Sequence, residues 1–261
     1  MYKVLSIAGS DCSGGAGIQA DIKTITAHKM YAMSVITALT AQNTTGVYDI
    51  CRVSAEFVKK QLDCVFEDIF PDGVKIGMVA DFGIIQAISD SLARYQPRNV
   101  VVDPVMVSTS GHTLLSDEAL VALQRELFPK ASLITPNIPE AEVLCGFPIE
   151  ARSDMERAVK ELWQRFGVPV LLKGGHLKEE APDCLFDGKR ERFYVKERLN
   201  NPNTHGTGCT LSSAIACNLA KGLSLEQSVE RAKEYLTGAI AAGLDLGAGA
   251  GPLNHVYAIS D

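Results

Sequence analysis

At 261 residues, 46% of them hydrophobic and 21% charged, the chain is long enough for one large core, and it carries a net charge of −6. That balance excludes the basic footprint of a nucleic-acid binder and offers nothing to an anionic membrane, so the expected partner is a small molecule. No apolar run reaches membrane-spanning length, the amino-terminal run is too short for a signal peptide, and seven scattered cysteines without a Cys-x-x-Cys pair exclude the usual zinc patterns and fit a reducing cytoplasm.

In chain order, residues 3–8 read as a buried strand, followed by Gly9-Ser10-Asp11-Cys12-Ser13-Gly14-Gly15-Ala16-Gly17 and a helix. Gly9 and Gly14 mimic Walker spacing, yet Gly15 and Ala16 stand where that motif requires Lys and Ser/Thr. No Gly-x-Gly-x-x-Gly is present either. The cluster therefore reads as a close-approach loop at the carboxyl end of the first strand, the edge where open α/β sheets bind ligands. Asp21, about one turn into the helix, points either at that ligand or at water. After a strand at 34–40, Gln42 and Asn43 place an amide donor and acceptor together, which suits a heterocycle's edge or caps a turn.

Strands at 73–76 and 99–102 come next, and Asp103 ends the second, stopped by Pro104. A carboxylate there is a natural water-mediated Mg²⁺ site. The strand at 133–135 leads into Asn137-Ile138-Pro139-Glu140, where Glu140 either shares that ion's waters or completes a helix cap with Asn137. Ser153-Asp154-Met155-Glu156 fits a capping box, and Met155, Ala158, Val159, Leu162 and Phe166 follow as a core-facing stripe. A strand at 169–172 ends in Lys173-Gly174-Gly175-His176, its Lys placed to neutralise a nucleotide phosphate or simply solvated. Residues 183–186 and 192–195, around Asp187-Gly188-Lys189, read as a β-hairpin that extends the sheet in antiparallel fashion.

Asn203-Thr204-His205-Gly206-Thr207-Gly208-Cys209 joins a glycine-hinged loop to a small-residue helix. Unpaired N–H groups of the first turn and the positive end of the helix dipole suit a phosphate, although a tight packing turn reads equally well. The same field is expected to lower the pKa of Cys209. Ser224-Leu225-Glu226-Gln227 starts another helix with a capping box, and the glycine-rich residues 247–255 are placed to wrap an adenine, to reverse the chain or to stay disordered. Strands alternating with helices predict a mostly parallel sheet covered on both faces, in one domain. The glycine loops, Asp103, Glu140, Lys173 and Cys209 all fall on one edge of it, the parts required for Mg-nucleotide phosphoryl transfer.

Ser13-Gly14-Gly15-Ala16-Gly17-Ile18-Gln19-Ala20-Asp21, Thr37-Ala38-Leu39-Thr40-Ala41-Gln42-Asn43-Thr44, Lys75-Ile76-Gly77-Met78, Asp103-Pro104-Val105-Met106, Thr135-Pro136-Asn137-Ile138-Pro139-Glu140, Lys173-Gly174-Gly175-His176 and the 203–209 segment together are specific. Over essentially its whole length the chain resembles the ribokinase-like superfamily and, within it, the hydroxymethylpyrimidine/phosphomethylpyrimidine kinases of thiamine biosynthesis. The resemblance implies a single kinase domain over 1–261, a three-layer α/β/α sandwich with a mostly parallel central sheet and a small β-hairpin extension. It implies that ATP phosphorylates 4-amino-5-hydroxymethyl-2-methylpyrimidine and then its monophosphate, in a cytoplasmic homodimer. Carried over, Gln42 hydrogen-bonds the aminopyrimidine, and Gly9, Asp21, Met78 and Val105 line its pocket. Asp103 and Glu140 hold Mg²⁺ through water, Lys173, Asn137 and Thr204 contact ATP, and Gly206, Thr207, Gly208 and Cys209 form the anion hole, with Cys209 where most superfamily relatives carry an Asp base.

One departure stands out: the family carries a Lys before Ser-Gly in the following segment, whereas Thr109 precedes Ser110-Gly111 here, which puts a lid-to-phosphate charge contact from that position in question. The alternatives are a pyridoxal kinase of the same cysteine-bearing branch and a non-catalytic pyrimidine-binding sensor. Ser108, where that kinase tends to carry a second Cys, weighs against the first; the intact set Asp103, Glu140, Lys173 and Cys209 weighs against the second.

Overall fold

Strand β1 (Lys3–Asp11) is buried along almost its whole length, as a central parallel strand must be. A computed structural model describes residues 1–106, 115–175, 182–196, 199 and 201–259; the sequence readings at Ser108, Thr109, Ser110, Gly111 and His176 lie outside the described residues. After β1 come α1 (Gly17–Ala27), β2 (Tyr31–Asn43), β3 (Gly46–Arg52), α2 (Ala55–Asp68), β4 (Gly73–Ile76), α3 (Phe82–Tyr95) and β5 (Val100–Val102). The second half holds α4 (Asp117–Ala122), β6 (Leu133–Ile134), α5 (Ile138–Cys145), α6 (Arg152–Phe166), β7 (Val170–Leu172), β8 (Asp183–Phe186), β9 (Glu191–Tyr194), α7 (Thr207–Ala220) and α8 (Leu225–Ala241).

The strands form one sheet in the order β3-β2-β1-β4-β5-β6-β7-β8-β9. Pairs from β2 through β7 are parallel, and β3, β8 and β9 join antiparallel at the two edges. Successive side chains of a strand point to opposite faces, and here they feed two separate cores. Leu5, Val102, Ile134 and Leu172 pack with Val58, Ile85 and Leu162 of α2, α3 and α6. Their neighbours Val4, Val101, Leu133 and Leu171 pack with Ile25, Ile215 and Val229 of α1, α7 and α8. The result is the three-layer sandwich with its hairpin extension. Because β1 sits between β2 and β4, the chain reverses its winding there, and the loops after β1 and β4 diverge to open a crevice. No helix of the described residues is long and apolar enough to cross a membrane.

Several expected boundaries move. Strand β2 runs through Gln42 and Asn43 instead of ending at 40, because β3 pairs with it antiparallel from Ala38 to Asn43. The box expected at Ser153 does not form: α6 begins at Arg152, and the Asp154 carboxylate accepts from the N–H groups of Glu150 and Ala151, both at 3.0 Å. The Ser224 box does form, with Gln227 N–H donating to Ser224 Oγ at 3.2 Å and Ser224 N–H to Gln227 Oε1 at 3.3 Å. All five residues of the α6 stripe are buried.

The carboxyl-terminal segment is tied to α7 and α8 through His255, 3% exposed, whose Nε2 lies 3.0 Å from Thr210 Oγ1 while Tyr235 Oη donates to its carbonyl. Burial, with a lesser push from Lys23, lowers the His255 pKa from 6.5 to about 4. The unfolded chain therefore binds a proton that the folded chain refuses, and the contribution is whole above pH 6.5 and lost as pH falls towards 4. Urea unfolding at pH 7 and pH 4.5 is expected to show about 2–3 kcal/mol of loss from this residue. His255→Gln should lose correspondingly less; an unchanged difference would assign the pH dependence to other groups.

Candidate active site

The carboxyl ends of β1, β2, β5 and β7 and the starts of α1, α5 and α7 converge on a cleft of about 1210 Å³. At the end of β1, Asp11 organises the glycine loop: Oδ1 accepts from Ser13 N–H (2.9 Å) and Ser13 Oγ (2.7 Å), and Oδ2 from Ala16 N–H (2.9 Å) and His205 Nε2 (2.8 Å). Burial alone would raise the Asp11 pKa, but the bonds from His205, Ser13 and Ala16 outweigh it and hold it at about 2. Gly17 (φ +54°) starts α1 so close to Gly9 that any Cβ would strike the Gly9 carbonyl oxygen. Gly9 itself lies against Met78, whose Sδ is 3.1 Å from the place of a Cβ.

Asp103 is 2% exposed at the end of β5; Lys173 Nζ donates to its Oδ1 at 2.6 Å, Thr135 Oγ1 donates to the same oxygen, and Ser212 Oγ reaches Oδ2 at 3.3 Å. Asn137 caps α5 with Glu140 in a full capping box. The capping reading therefore holds, and Glu140 also borders the cleft, 4% exposed, with its other oxygen 3.4 Å from Met106 N–H. Burial pushes the Glu140 carboxyl up to about 7, with Lys173 opposing and Asp103 adding to the rise. For Lys173 burial pulls the pKa down, but Asp103 and Glu140 more than offset it and keep the ammonium charged. No group of three or more His, Cys, Asp or Glu forms a metal cluster among the described residues. Two buried carboxylates instead suit a divalent cation that keeps most of its waters, as Mg²⁺ does.

Helix α7 meets these groups with its first turn. Its cap, Gly206 (φ +83°), sits where a Cβ would strike the Gly15 carbonyl oxygen, so the two glycine loops are in direct contact. The first helical bond is Thr210 N–H to Gly206 O, which leaves the Gly208 and Cys209 N–H groups without a helical acceptor at the cleft. A Cβ on Gly208 would lie 3.3 Å from Lys173 Nζ and 3.4 Å from Asp103 Oδ2. Backbone donors, an ammonium and a carboxylate thus face one small volume.

Gln42, Met78, Val105 and Gly9 line the cleft, as do Asn137, Lys173 and Thr204 together with Lys233, Leu236 and Ile240. Two expectations are corrected. Asp21 neither reaches the cleft nor faces water: it is 0% exposed and holds Lys75 Nζ at 2.8 and 2.9 Å, with Ser6 Oγ at 2.5 Å and Ser213 Oγ at 2.7 Å. Cys209, half-buried, has its pKa raised instead of lowered, because burial outweighs the Lys75 ammonium and the Gly17 N–H that favour its thiolate. The glycine tail borders Gln42, with Gly251 N–H on Asn203 Oδ1 and Gly249 N–H on Thr44 Oγ1.

Sequence reasoning assigned no part to Lys75, Asp11 or His205. The signal for Lys75 was present, a lone Lys inside Gly73-Val74-Lys75-Ile76, whereas nothing local links Asp11 to His205.

A family model described as phosphomethylpyrimidine kinase matches residues 11–254. A hydroxymethylpyrimidine/phosphomethylpyrimidine kinase of Rhizobium meliloti is 50% identical over 257 residues, which cover 97% of this chain and 96% of that one. A thiamine biosynthesis bifunctional protein ThiED of Geobacter sulfurreducens is also 50% identical, over 99% of this chain, which spans about half (53%) of that longer protein. Among solved structures, a phosphomethylpyrimidine kinase of Clostridium difficile matches at 48% identity and TM-score 0.83, over 92% of this chain and 100% of that one. An ADP complex of Bacillus subtilis pyridoxal kinase matches at 36% identity and TM-score 0.92, over 99% and 98%. Matched by the family model over residues 11–254 and by relatives and solved structures over nearly its whole length, the chain belongs to the phosphomethylpyrimidine kinase family and has the ribokinase-like fold.

Proposed function

We propose that this chain transfers the γ-phosphoryl group of ATP to the hydroxyl of 4-amino-5-hydroxymethyl-2-methylpyrimidine and then a second phosphoryl group to the monophosphate, as a kinase of thiamine biosynthesis. The observation that carries the reading is the meeting of Lys173, Asp103 and Gly208 in a cleft that Gln42 also lines. Gln42 reads the aminopyrimidine edge, with Gly9, Met78 and Val105 around the ring. Lys173 meets the phosphates, Asn137 and Thr204 border them, and the backbone from Gly206 to Cys209 receives the transferring group. Asp103 and Glu140 are suited to hold Mg²⁺ through water, and that ion neutralises phosphate charge when bound.

Cys209 takes the hydroxymethyl proton in the first transfer. In the second the nucleophile is a phosphate oxygen already ionised near neutral pH, so no base is needed. Because burial raises the thiol pKa, the thiolate fraction climbs about tenfold per pH unit below it. The first transfer is therefore expected to accelerate from pH 7 to 9 and the second to stay flat. Cys209→Ala should slow the first by about 10²–10³-fold, abolish its pH rise and leave the second within a few-fold. Equal losses with both purified substrates would sink the role.

Kinase assays on the hydroxymethylpyrimidine, its monophosphate and pyridoxal test the whole reading; turnover of pyridoxal alone would overturn it. The likeness to a pyridoxal kinase at TM-score 0.92 favours that second reading, and the sensor alternative requires tight binding with no ATP consumption. We assign the chain to the cytoplasm on its seven free cysteines, as one kinase unit over 1–261. It is expected to pair into a homodimer through the outer strands, where Tyr48 and Leu39 are 69% and 49% exposed; light scattering measures the mass.

A further inference from the structure

Gln42 can read a heterocycle only if its amide is held one way round, since its two ends differ in hydrogen-bond sense. Both ends touch protein. Oε1 lies 3.1 Å from Thr40 Oγ1, and Nε2 lies 3.3 Å from His205 Nε2. His205 Nε2 must carry a proton, because the Asp11 oxygen 2.8 Å away belongs to an ionised carboxylate and only accepts. Thr40 Oγ1 has one proton as well, and it is directed at the Ser10 carbonyl at 3.0 Å. With the amide nitrogen towards His205, donor opposes donor and Thr40 must serve two acceptors with one proton. A half-turn of the amide removes the donor-to-donor contact and relieves Thr40: the Gln42 nitrogen donates to Thr40, and its oxygen shares, in a three-centre bond, the one His205 Nε2 proton that is directed mainly at Asp11.

We infer that Asp11, His205 and Thr40 are positioning residues that lock the Gln42 amide with its oxygen at the His205 side, and so select a ring whose donor and acceptor come in one order. The three surround Gln42 from separate elements. Asp11 and Thr40 are register partners in the β1–β2 ladder, and His205 arrives from the loop before α7. His205 is 5% exposed and Asp11 3%, so the dyad is held away from competing water. Asp11 is in turn fixed by Ser13 and Ala16, which ties the amide's polarity to the start of α1.

With the amide so locked, its free acceptor position faces the ring's exocyclic amino group and its free N–H the ring nitrogen alongside. The amino group then lies on the His205 side, which orients the neighbouring hydroxymethyl towards the start of α7. A 4-oxo ring presents the opposite order, acceptor outside and N–H within, and meets the same amide donor to donor. The fixed amide, more than the shape of the pocket, is what excludes it.

This inference rests on the assignment of Gln42 to the aminopyrimidine, and the test separates the two. The ratio of kcat/KM for the 4-amino substrate over its 4-oxo analogue is measured in the full-length protein and in three variants. Unmodified protein is expected to prefer the amino compound by about 10³-fold or more. His205→Phe removes the donor and Thr40→Val the acceptor; each frees the amide to turn and should narrow the ratio at least about tenfold. His205→Gln, whose amide nitrogen reaches the place of Nε2, should restore most of it. A purely structural loss would lower both kcat/KM values together. A ratio unmoved in Thr40→Val, or in His205→Phe with a native melting curve, overturns the lock while leaving the functional reading intact. Absence of turnover of the amino compound by the unmodified protein overturns that reading and the lock with it.

Discussion

Lys75→Met is expected to lower stability by about 3–5 kcal/mol, measured as a shift in the urea midpoint at constant slope. Lys75 and Asp21 are each 0% exposed, and their ion pair lies between the sheet and α7. Burial by itself would push the Lys75 pKa down; Asp21 first, then Cys209 and Asp103, hold it well above the ordinary lysine range. Methionine fills the volume but leaves the Asp21 carboxylate in the interior with only Ser6 and Ser213 as donors. An uncompensated buried charge is among the largest single penalties a fold can carry. Removing the carboxylate as well, in Lys75→Met with Asp21→Leu, should recover most of the lost stability. The double variant is nevertheless expected to stay slow as a kinase, because the ammonium that favours the Cys209 thiolate is gone. If it is as unstable as the single variant, the uncompensated charge is not the cause.

Gly206→Ala should cost activity far more than stability alone explains. A left-handed backbone at φ +83° strains any residue with a Cβ by about 1–2 kcal/mol. Gly222 has the same φ, +83°, with nothing within 4 Å of the added carbon, so Gly222→Ala isolates that backbone strain. At Gly206 the added methyl meets the Gly15 carbonyl as well, and one of the two loops must retreat. Retreat displaces the N–H groups at Gly208 and Cys209 from the volume shared with Lys173, and loss of one such donor is worth about 10²–10³ in kcat. The expected contrast is a kinase reduced by at least that factor in Gly206→Ala and near native in Gly222→Ala. Equal activity in the two variants would mean that contact between the loops has no part in catalysis.

Legibility followed the distance between partners. Strand 73–76 was readable to the residue because glycines bound it on both sides, and the α6 stripe because its period is carried by the helix itself. Strand β3 was missed: Gly46-Val47-Tyr48-Asp49-Ile50-Cys51-Arg52 is exposed or half-exposed throughout, so no burial pattern marks it and only pairing with β2 makes it a strand. The Asn137–Glu140 cap and a cleft-side Glu140 were weighed as rivals, and the folded chain has both, since one carboxylate oxygen serves each side. At Cys209 the helix-start field was legible from spacing, but the burial that defeats it depends on packing against α1 and β4. Asp21 looked like a ligand contact because its ion-pair partner lies 54 residues further on.

Contact between Gly15 and Gly206, sealed by the Asp11–His205 bond across 194 residues, also dictates when the site can exist. A chain emerging from the ribosome can lay down β1, β2 and β4 early, yet neither the amide lock nor the phosphate cradle forms until α7 has been made. The tail then closes over it through Asn203 and Thr210. Catalytic competence thus waits for α7, and a chain halted before it, however well folded its first strands, has no means of consuming ATP.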